Sequence, residues 1–207
     1  MEAVKQLIEK SLENDLSAFE QLVNIYQGRV FTLGYQLTNS YADAQDLAQE
    51  VFIKAFYSLK SFRNEADFGT WLHKITVNLW LNMKRKRSIP NVVSLSEPIS
   101  AGENEVYRDL AATDGDPEQS LEKKEFNGIV KKALGELSRE YQAVIILREI
   151  EGYSYEEMSL IMNCSLGTVK SRLNRARQVL KQQVTKLAKD SGYVLPGTRK
   201  SRVIEEV

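Results

Sequence analysis

From Leu16 to Leu37 the apolar residues Phe19, Leu22, Val23, Tyr26, Val30, Leu33 and Leu37 recur at spacings of mostly three and four. That period lays them along one face of an amphipathic helix, and strand alternation is absent. Asn39 and Ser40 interrupt the pattern, which resumes from Tyr41 to Leu59 with Ala44, Leu47, Ala48, Val51, Ala55 and Leu59 inward. Asp43, Asp46, Gln49, Glu50 and Lys54 are then left largely outward. Asp67 can cap a third helix with an apolar stripe of Phe68, Trp71, Leu72, Ile75 and Leu79, running into the basic residues Lys84 to Arg87. Its position on the stripe assigns Trp71 to the core, whereas Trp80 lies off it and suits either packing or base stacking. Three such helices can enclose one small core.

The second half is more punctuated. Leu121 to Leu137 and Arg139 to Glu151 read as helices, with Ser138 as a cap between them and Gly152 ending the second. Ser154-Tyr-Glu-Glu157 has the spacing of a capping box and starts a short helix through about Met162. Asn163 and Cys164 make a turn, and Ser165 caps a longer helix with Leu166, Val169, Leu173, Ala176, Leu180, Val184 and Leu187 inward. Its other face carries Lys170, Ser171, Asn174, Arg175, Gln178 and Lys181. A short capped helix, a tight turn and a longer basic helix form the helix-turn-helix pattern, whose second helix lies in the DNA major groove.

Between the halves, Ser88 to Leu121 holds three of the four prolines, two glycines and scattered Ser, Asp and Glu with no apolar period. A stretch this long without a packed pattern marks a domain boundary rather than an internal loop. The predicted class is therefore all-α: a helical domain over 1–87, a flexible acidic linker over 88–120, a helix-turn-helix domain over 121–189 and a frayed tail over 190–207. A chain of 207 residues accommodates two such small domains.

Charge changes this picture. The chain has a formal net charge of +0, which at first argues against a nucleic-acid partner. Counted by segment, however, residues 54–87 carry +6 and 163–189 carry +7, while 88–121 carry −6. Two basic blocks separated by an acidic one suggest two polyanion-binding surfaces joined by a linker that discourages unspecific DNA contact. The block at 163–189 has seven basic and no acidic residues, unlike the mixed signs of a solubilising face. Lys and Arg neutralise phosphates and donate to guanine, Asn pairs with adenine edges, and Ser or Thr at a helix start donates to phosphate.

Other chemistry is sparse. The single Cys164 allows no internal disulfide and no zinc site of the two-Cys type, which favours a reducing cytoplasm. The charged start of the chain does not read as a signal peptide, and the longest aliphatic run, Val144 to Leu147, is far too short to span a membrane. His73 is the only His and has no companion ligands in sequence, so no metal or general-base role is assigned to it. Asp43, Asp46 and Glu50 superficially suit metal-dependent phosphoryl chemistry, but their three-and-four spacing on an exposed face favours a docking surface.

The residues also carry a resemblance. Leu137-Ser-Arg-Glu-Tyr-Gln-Ala-Val-Ile-Ile-Leu-Arg-Glu-Ile-Glu-Gly-Tyr-Ser154 and Gly167-Thr-Val-Lys-Ser-Arg-Leu-Asn-Arg-Ala-Arg177 resemble the carboxy-terminal domain of extracytoplasmic-function (ECF, group IV) bacterial sigma factors. Asp43-Ala-Gln-Asp-Leu-Ala-Gln-Glu-Val-Phe-Ile-Lys-Ala-Phe56 and Phe68-Gly-Thr-Trp-Leu-His-Lys-Ile-Thr-Val-Asn78 resemble that family's amino-terminal domain. The resemblance implies sigma region 2 and region 4 domains in a transcription initiation factor that is not an enzyme. Its partners would be core RNA polymerase (clamp helices and flap), promoter DNA, and a sequestering anti-sigma factor, often membrane-bound in relatives. It implies no cofactor, metal or small-molecule substrate, and a cytoplasmic location.

By the same resemblance, Gly167, Thr168, Lys170, Ser171, Asn174 and Arg175 would meet the −35 element as duplex. Phe62, Asn64, Asn78, Lys84 and Arg85 would serve the melted −10 strand, where an extruded base can be read on its freed edges. Asp46, Gln49, Glu50 and Lys54 would grip the polymerase clamp helices. The alternative is a dimeric helix-turn-helix regulator that binds an operator without polymerase; it leaves the acidic helix and the run Lys84 to Arg87 unexplained.

Overall fold

Side chains that cap helices set the boundaries of most elements. The computed structural model describes residues 2–62, 66–83 and 117–194. Helix α1 spans Glu2–Leu12 and α2 spans Leu16–Thr38, the latter capped by the Asp15 carboxylate, which accepts from the Ala18 amide. Asn39 ends α2 in the left-handed conformation, and the Ser40 hydroxyl starts α3, Tyr41–Ser58. A single tight turn follows over Leu59–Ser61. Helix α4, Phe68–Asn82, is capped by Asp67, whose Oδ2 accepts from the Gly69 amide at 2.9 Å. Gly69 fits closely there: a Cβ would lie 2.9 Å from that oxygen and 3.1 Å from the Tyr26 ring, so the cap would have to shift to admit a side chain.

In the second bundle, α5 spans Pro117–Gly135 and starts earlier than the apolar pattern predicts, with proline at its first position where no amide is needed. Helix α6, Arg139–Ile145, is capped by Ser138 as expected. It continues as a wider π-type turn, Ile146–Ile150, closed by the Glu151 amide donating to the Ile146 carbonyl. Gly152, at φ +75°, then reverses the chain. Both reciprocal hydrogen bonds of the capping box between Ser154 and Glu157 open α7, Tyr155–Met162. Asn163 turns the chain at φ 50°, and Ser165 caps α8, Leu166–Ser191, so the predicted helix-turn-helix is present. Helix α8 outruns the predicted domain end at 189; Gly192 caps it, and Tyr193 stacks on Phe126 at 6.0 Å.

Every regular element among the described residues is helical, and no helix among them is long and apolar enough to cross a membrane. The first bundle packs α2 against α3 and α4 around Leu22, Val30, Leu33, Leu47, Val51 and Leu72. The second packs α6 and α7 on α8 around Leu147, Met158, Ile161, Val169 and Leu173.

The two bundles share a single apolar cluster, with α7 lying along α4 and the first turn of α6 at the ends of α2 and α4. Its polar contacts are specific. Helix ends leave carbonyls short of partners, and two receive donors from the other bundle: Gln142 Nε2 donates to the Leu37 carbonyl at 3.1 Å, and Arg139 Nη1 donates at 2.6 Å to the Trp80 carbonyl, which also accepts from the Met83 amide. Arg139 also reaches the Leu81 and Met83 carbonyls, and its guanidinium lies 5.3 Å from the Trp80 ring. Trp80 is thus a buried packing residue, resolving the choice the sequence left open.

Tyr153 makes the third contact. Its hydroxyl sits 2.7 Å from His73 Nδ1 and has a second hydrogen-bond partner in Thr70. Burial lowers the His73 pKa to about 4; the Arg29 charge on α2 adds to this, and Asp67 opposes it. Burial raises the Tyr153 pKa above its ordinary value; the Thr70 hydrogen bond opposes this, and Glu151 and Glu157 of its own bundle add to it. At neutral pH the imidazole is therefore neutral and acts as the acceptor when the Tyr153 hydroxyl donates to Nδ1. Its folded-state pKa lies below the unfolded value of 6.5, so the unfolded chain binds the extra proton between the two. The contribution of His73 to stability is full above pH 6.5 and is lost as pH falls toward 4. Urea unfolding across this window is expected to show about one fewer proton taken up on unfolding in His73→Phe than in the parent chain.

Candidate nucleic-acid interfaces

Helix α8 sorts its side chains by period. Val169, Leu173 and Ala176 are buried against the bundle, which leaves Gly167, Lys170, Ser171, Asn174 and Arg175 exposed on the opposite side, with Thr168 half-buried at the helix start. All six sequence-predicted residues of this set therefore share one outward face. The Thr168 hydroxyl lies 2.8 Å from Ser165 Oγ, which also accepts from the Thr168 amide at 3.1 Å. A helix start with a free basic flank of this kind can seat against a phosphate and put the next two turns over base edges.

Sequence reasoning missed a support for that face. Two cations approach the Tyr155 ring, the Arg148 guanidinium at 5.0 Å and the Lys170 ammonium at 5.8 Å from its centre. Arg148 is further held by donating to the Tyr153 carbonyl at 2.7 Å. Only Tyr155's position one residue inside the capping box could have flagged it. Arg177, in contrast, is turned aside: its Nε and Nη2 donate to Glu149 Oε1 at 2.9 and 2.5 Å.

The second interface lies at the start of α4. Phe62, Phe68 and Trp71 form an aromatic cluster with ring centres 5.3 to 5.4 Å apart. Phe62 and Trp71, with Lys60, Ser61, Ala66, Thr70 and Lys74, line a cavity of about 460 Å³ that Leu160 and Ile161 of α7 close from the other side. Trp71 is half-buried in the cavity wall rather than in the core, because its stripe position meets Phe62 of the preceding loop. Asn78 is half-buried and, by helical period, lies on the side of α4 that carries Trp71 and Lys74. Asn64, Lys84 and Arg85 lie outside the described residues.

The third surface is α3. Asp46, Gln49, Glu50 and Lys54 are all exposed on one broad face. Ile53 and Tyr57, 52% and 81% exposed, extend it by one and two turns, an apolar addition that the sequence signalled only as residues off the inward stripe. Exposed apolar side chains ringed by charges are the usual make-up of a protein-docking patch.

Comparison with known proteins agrees with this arrangement of motifs. The Sigma-70 region 2 family model matches residues 22–89, and the Sigma-70, region 4 model matches 128–180. The chain is 33% identical over 190 residues to the RNA polymerase sigma-H factor of Pseudomonas aeruginosa, covering 90% of this chain and 96% of that protein. The ECF RNA polymerase sigma-E factor of Escherichia coli is 36% identical over 185 residues, 87% of this chain and 94% of that one. The chain belongs to the ECF sigma factors. The SigE factor of Mycolicibacterium smegmatis is also 36% identical, but this chain spans only 63% of its length. Among solved structures, the sigma factor RpoE of Bartonella quintana, in complex with the anti-sigma factor NepR, superposes with a TM-score of 0.55 at 27% identity, covering 81% of this chain and 96% of that one. CnrH in complex with the cytosolic domain of CnrY shares the fold, with a TM-score of 0.56 at 22% identity, covering 89% of this chain and 98% of that one.

The side chains of Arg177 and Glu149 are 50% and 46% exposed, so solvent screens their ion pair. Arg177→Ala is expected to cost at most about 1 kcal/mol of stability in urea unfolding.

Proposed function

We propose that this chain binds core RNA polymerase and directs it to specific promoters, acting by recognition alone with no catalytic step of its own. The observation that carries the reading is the occurrence, in one chain and in family order, of region 2 and region 4 matches, each with an exposed or cavity-lining face of the matching chemistry. The exposed α8 face, with Gly167, Thr168, Lys170, Ser171, Asn174 and Arg175, reads the −35 duplex. Phe62, Asn64 and Asn78 hold the melted −10 strand, with Lys84 and Arg85 on its phosphates. The α3 face, with Asp46, Gln49, Glu50 and Lys54, docks on the polymerase clamp helices, and the second bundle docks on the flap.

A cytoplasmic location follows from these partners. An anti-sigma factor is a further partner in this reading, supported by the RpoE relative solved with NepR. A dimeric operator-binding regulator is the weaker reading, because it gives the exposed Ile53 and Tyr57 patch no role.

The division of labour is testable with site variants. Arg175→Ala is expected to weaken binding to −35 duplex by about 1–3 kcal/mol and to relax sequence preference there. Phe62→Ala and Asn78→Ala are expected to reduce permanganate-detected promoter melting by holoenzyme while duplex −35 binding stays unchanged. Equal loss of both activities in all three variants would contradict the assignment.

A further inference from the structure

Of the seven basic side chains in 163–189, Arg177 alone is held in an ion pair among the described residues. Its Nε and Nη2 both donate to Glu149 Oε1, and it also hydrogen-bonds the Tyr155 side chain. Lys170, Asn174 and Arg177 stand at i, i+4 and i+7 on α8, so they share one flank of the helix. The face assigned to the −35 duplex thus continues, one turn further, into a cation that already has an anion.

Tyr155 gathers that flank. The Arg148 guanidinium and the Lys170 ammonium lie 5.0 and 5.8 Å from its ring centre, and Arg177 bonds its side chain. Three cations therefore converge on one aromatic side chain, and Glu149 is the carboxylate bonded to one of them. A guanidinium that turns two N–H groups on a carboxylate offers the same fork to a phosphate. The two side chains are 50% and 46% exposed, so water reaches both and one anion can replace the other at small cost.

We propose that Glu149 holds the place of a DNA backbone phosphate in the free chain, and that Arg177 passes from this carboxylate to a phosphate at the edge of the −35 duplex. The inference rests on the assignment of the exposed α8 face to that duplex. Arg177 is then a further DNA-contacting residue, and Glu149 is a positioning residue with two effects. It keeps the guanidinium ordered beside Tyr155, and it competes with phosphate for it. That competition is the same on every sequence, so it lowers unspecific binding and leaves discrimination to the base contacts of Lys170, Asn174 and Arg175.

The test is duplex binding by the full-length chain over a series of salt concentrations. The probes are a random-sequence duplex and a promoter duplex mapped by run-off transcription, with circular dichroism to follow the fold of each variant. Each phosphate contact contributes about 0.9 to the slope of log K against log salt. Arg177→Ala is expected to reduce that slope by about one on both duplexes, and Arg177→Lys to restore it. Glu149→Gln is expected to tighten both by up to about fivefold at unchanged slope, because the exposed pair no longer competes. That gain is expected to shrink in the Arg177→Ala background, since most of it comes from freeing Arg177.

A merely structural pair would weaken binding in both single variants and leave their slopes at the parent's value. That result overturns the inference, as does a gain from Glu149→Gln that is equal with and without Arg177, the mark of bulk charge repulsion. Duplex binding absent from the parent chain removes the α8 assignment and the inference with it. Parent binding accompanied by either of the other results removes the inference alone.

Discussion

Helix α4 is buried on nearly its whole circumference, and that constraint organises the rest of the molecule. One side supplies Leu72, Ile75 and Leu79 to the first bundle; another is covered by the second. Its polar residues are buried as a consequence, and a buried polar group costs free energy unless it finds a partner. Thr76 turns back to the Leu72 carbonyl at 2.9 Å, whereas, among the described residues, Thr70 and His73 Nδ1 find their partner in Tyr153 from the second bundle. His73 Nε2 stays buried without a protein partner, so the contact is tolerated rather than optimised. An interface built this way is specific in register and modest in net strength.

The same logic explains how a chain of zero net charge handles DNA. Its basic residues are concentrated in 54–87 and 163–189, and the second block is a helix whose apolar stripe leaves six of its seven charges exposed, with Arg172 half-buried. Packing therefore creates the charged face: once Val169, Leu173 and Ala176 turn inward, Lys170, Asn174 and Arg175 have nowhere else to go. On α3 the inward set Ala44, Leu47, Val51 and Ala55 does likewise for the proposed docking face.

Much of this was legible in the sequence because it is local. Asp67, Ser138, Ser154 and Ser165 bond amides two or three residues away, so their spacing alone predicted four helix starts. The period likewise predicted which face of α8 is free. What escaped is non-local. Nothing near Gln142 announces that its amide will meet a carbonyl 105 residues earlier, nor that Arg139 will cap α4. Trp71 shows the limit in miniature: the stripe gave its side of the helix correctly, but its neighbour there is Phe62 at a cavity edge, not the bundle centre. The π-type turn at Ile146–Ile150 has no short-range signature either.

In the proposed function these surfaces serve one act, bringing polymerase to a promoter. The decisive experiment is run-off transcription by purified core polymerase on a genomic fragment library, with and without the chain. New start sites that share spaced −35 and −10 motifs are expected to appear only when the chain is added. Identical transcript profiles in the two reactions would contradict it.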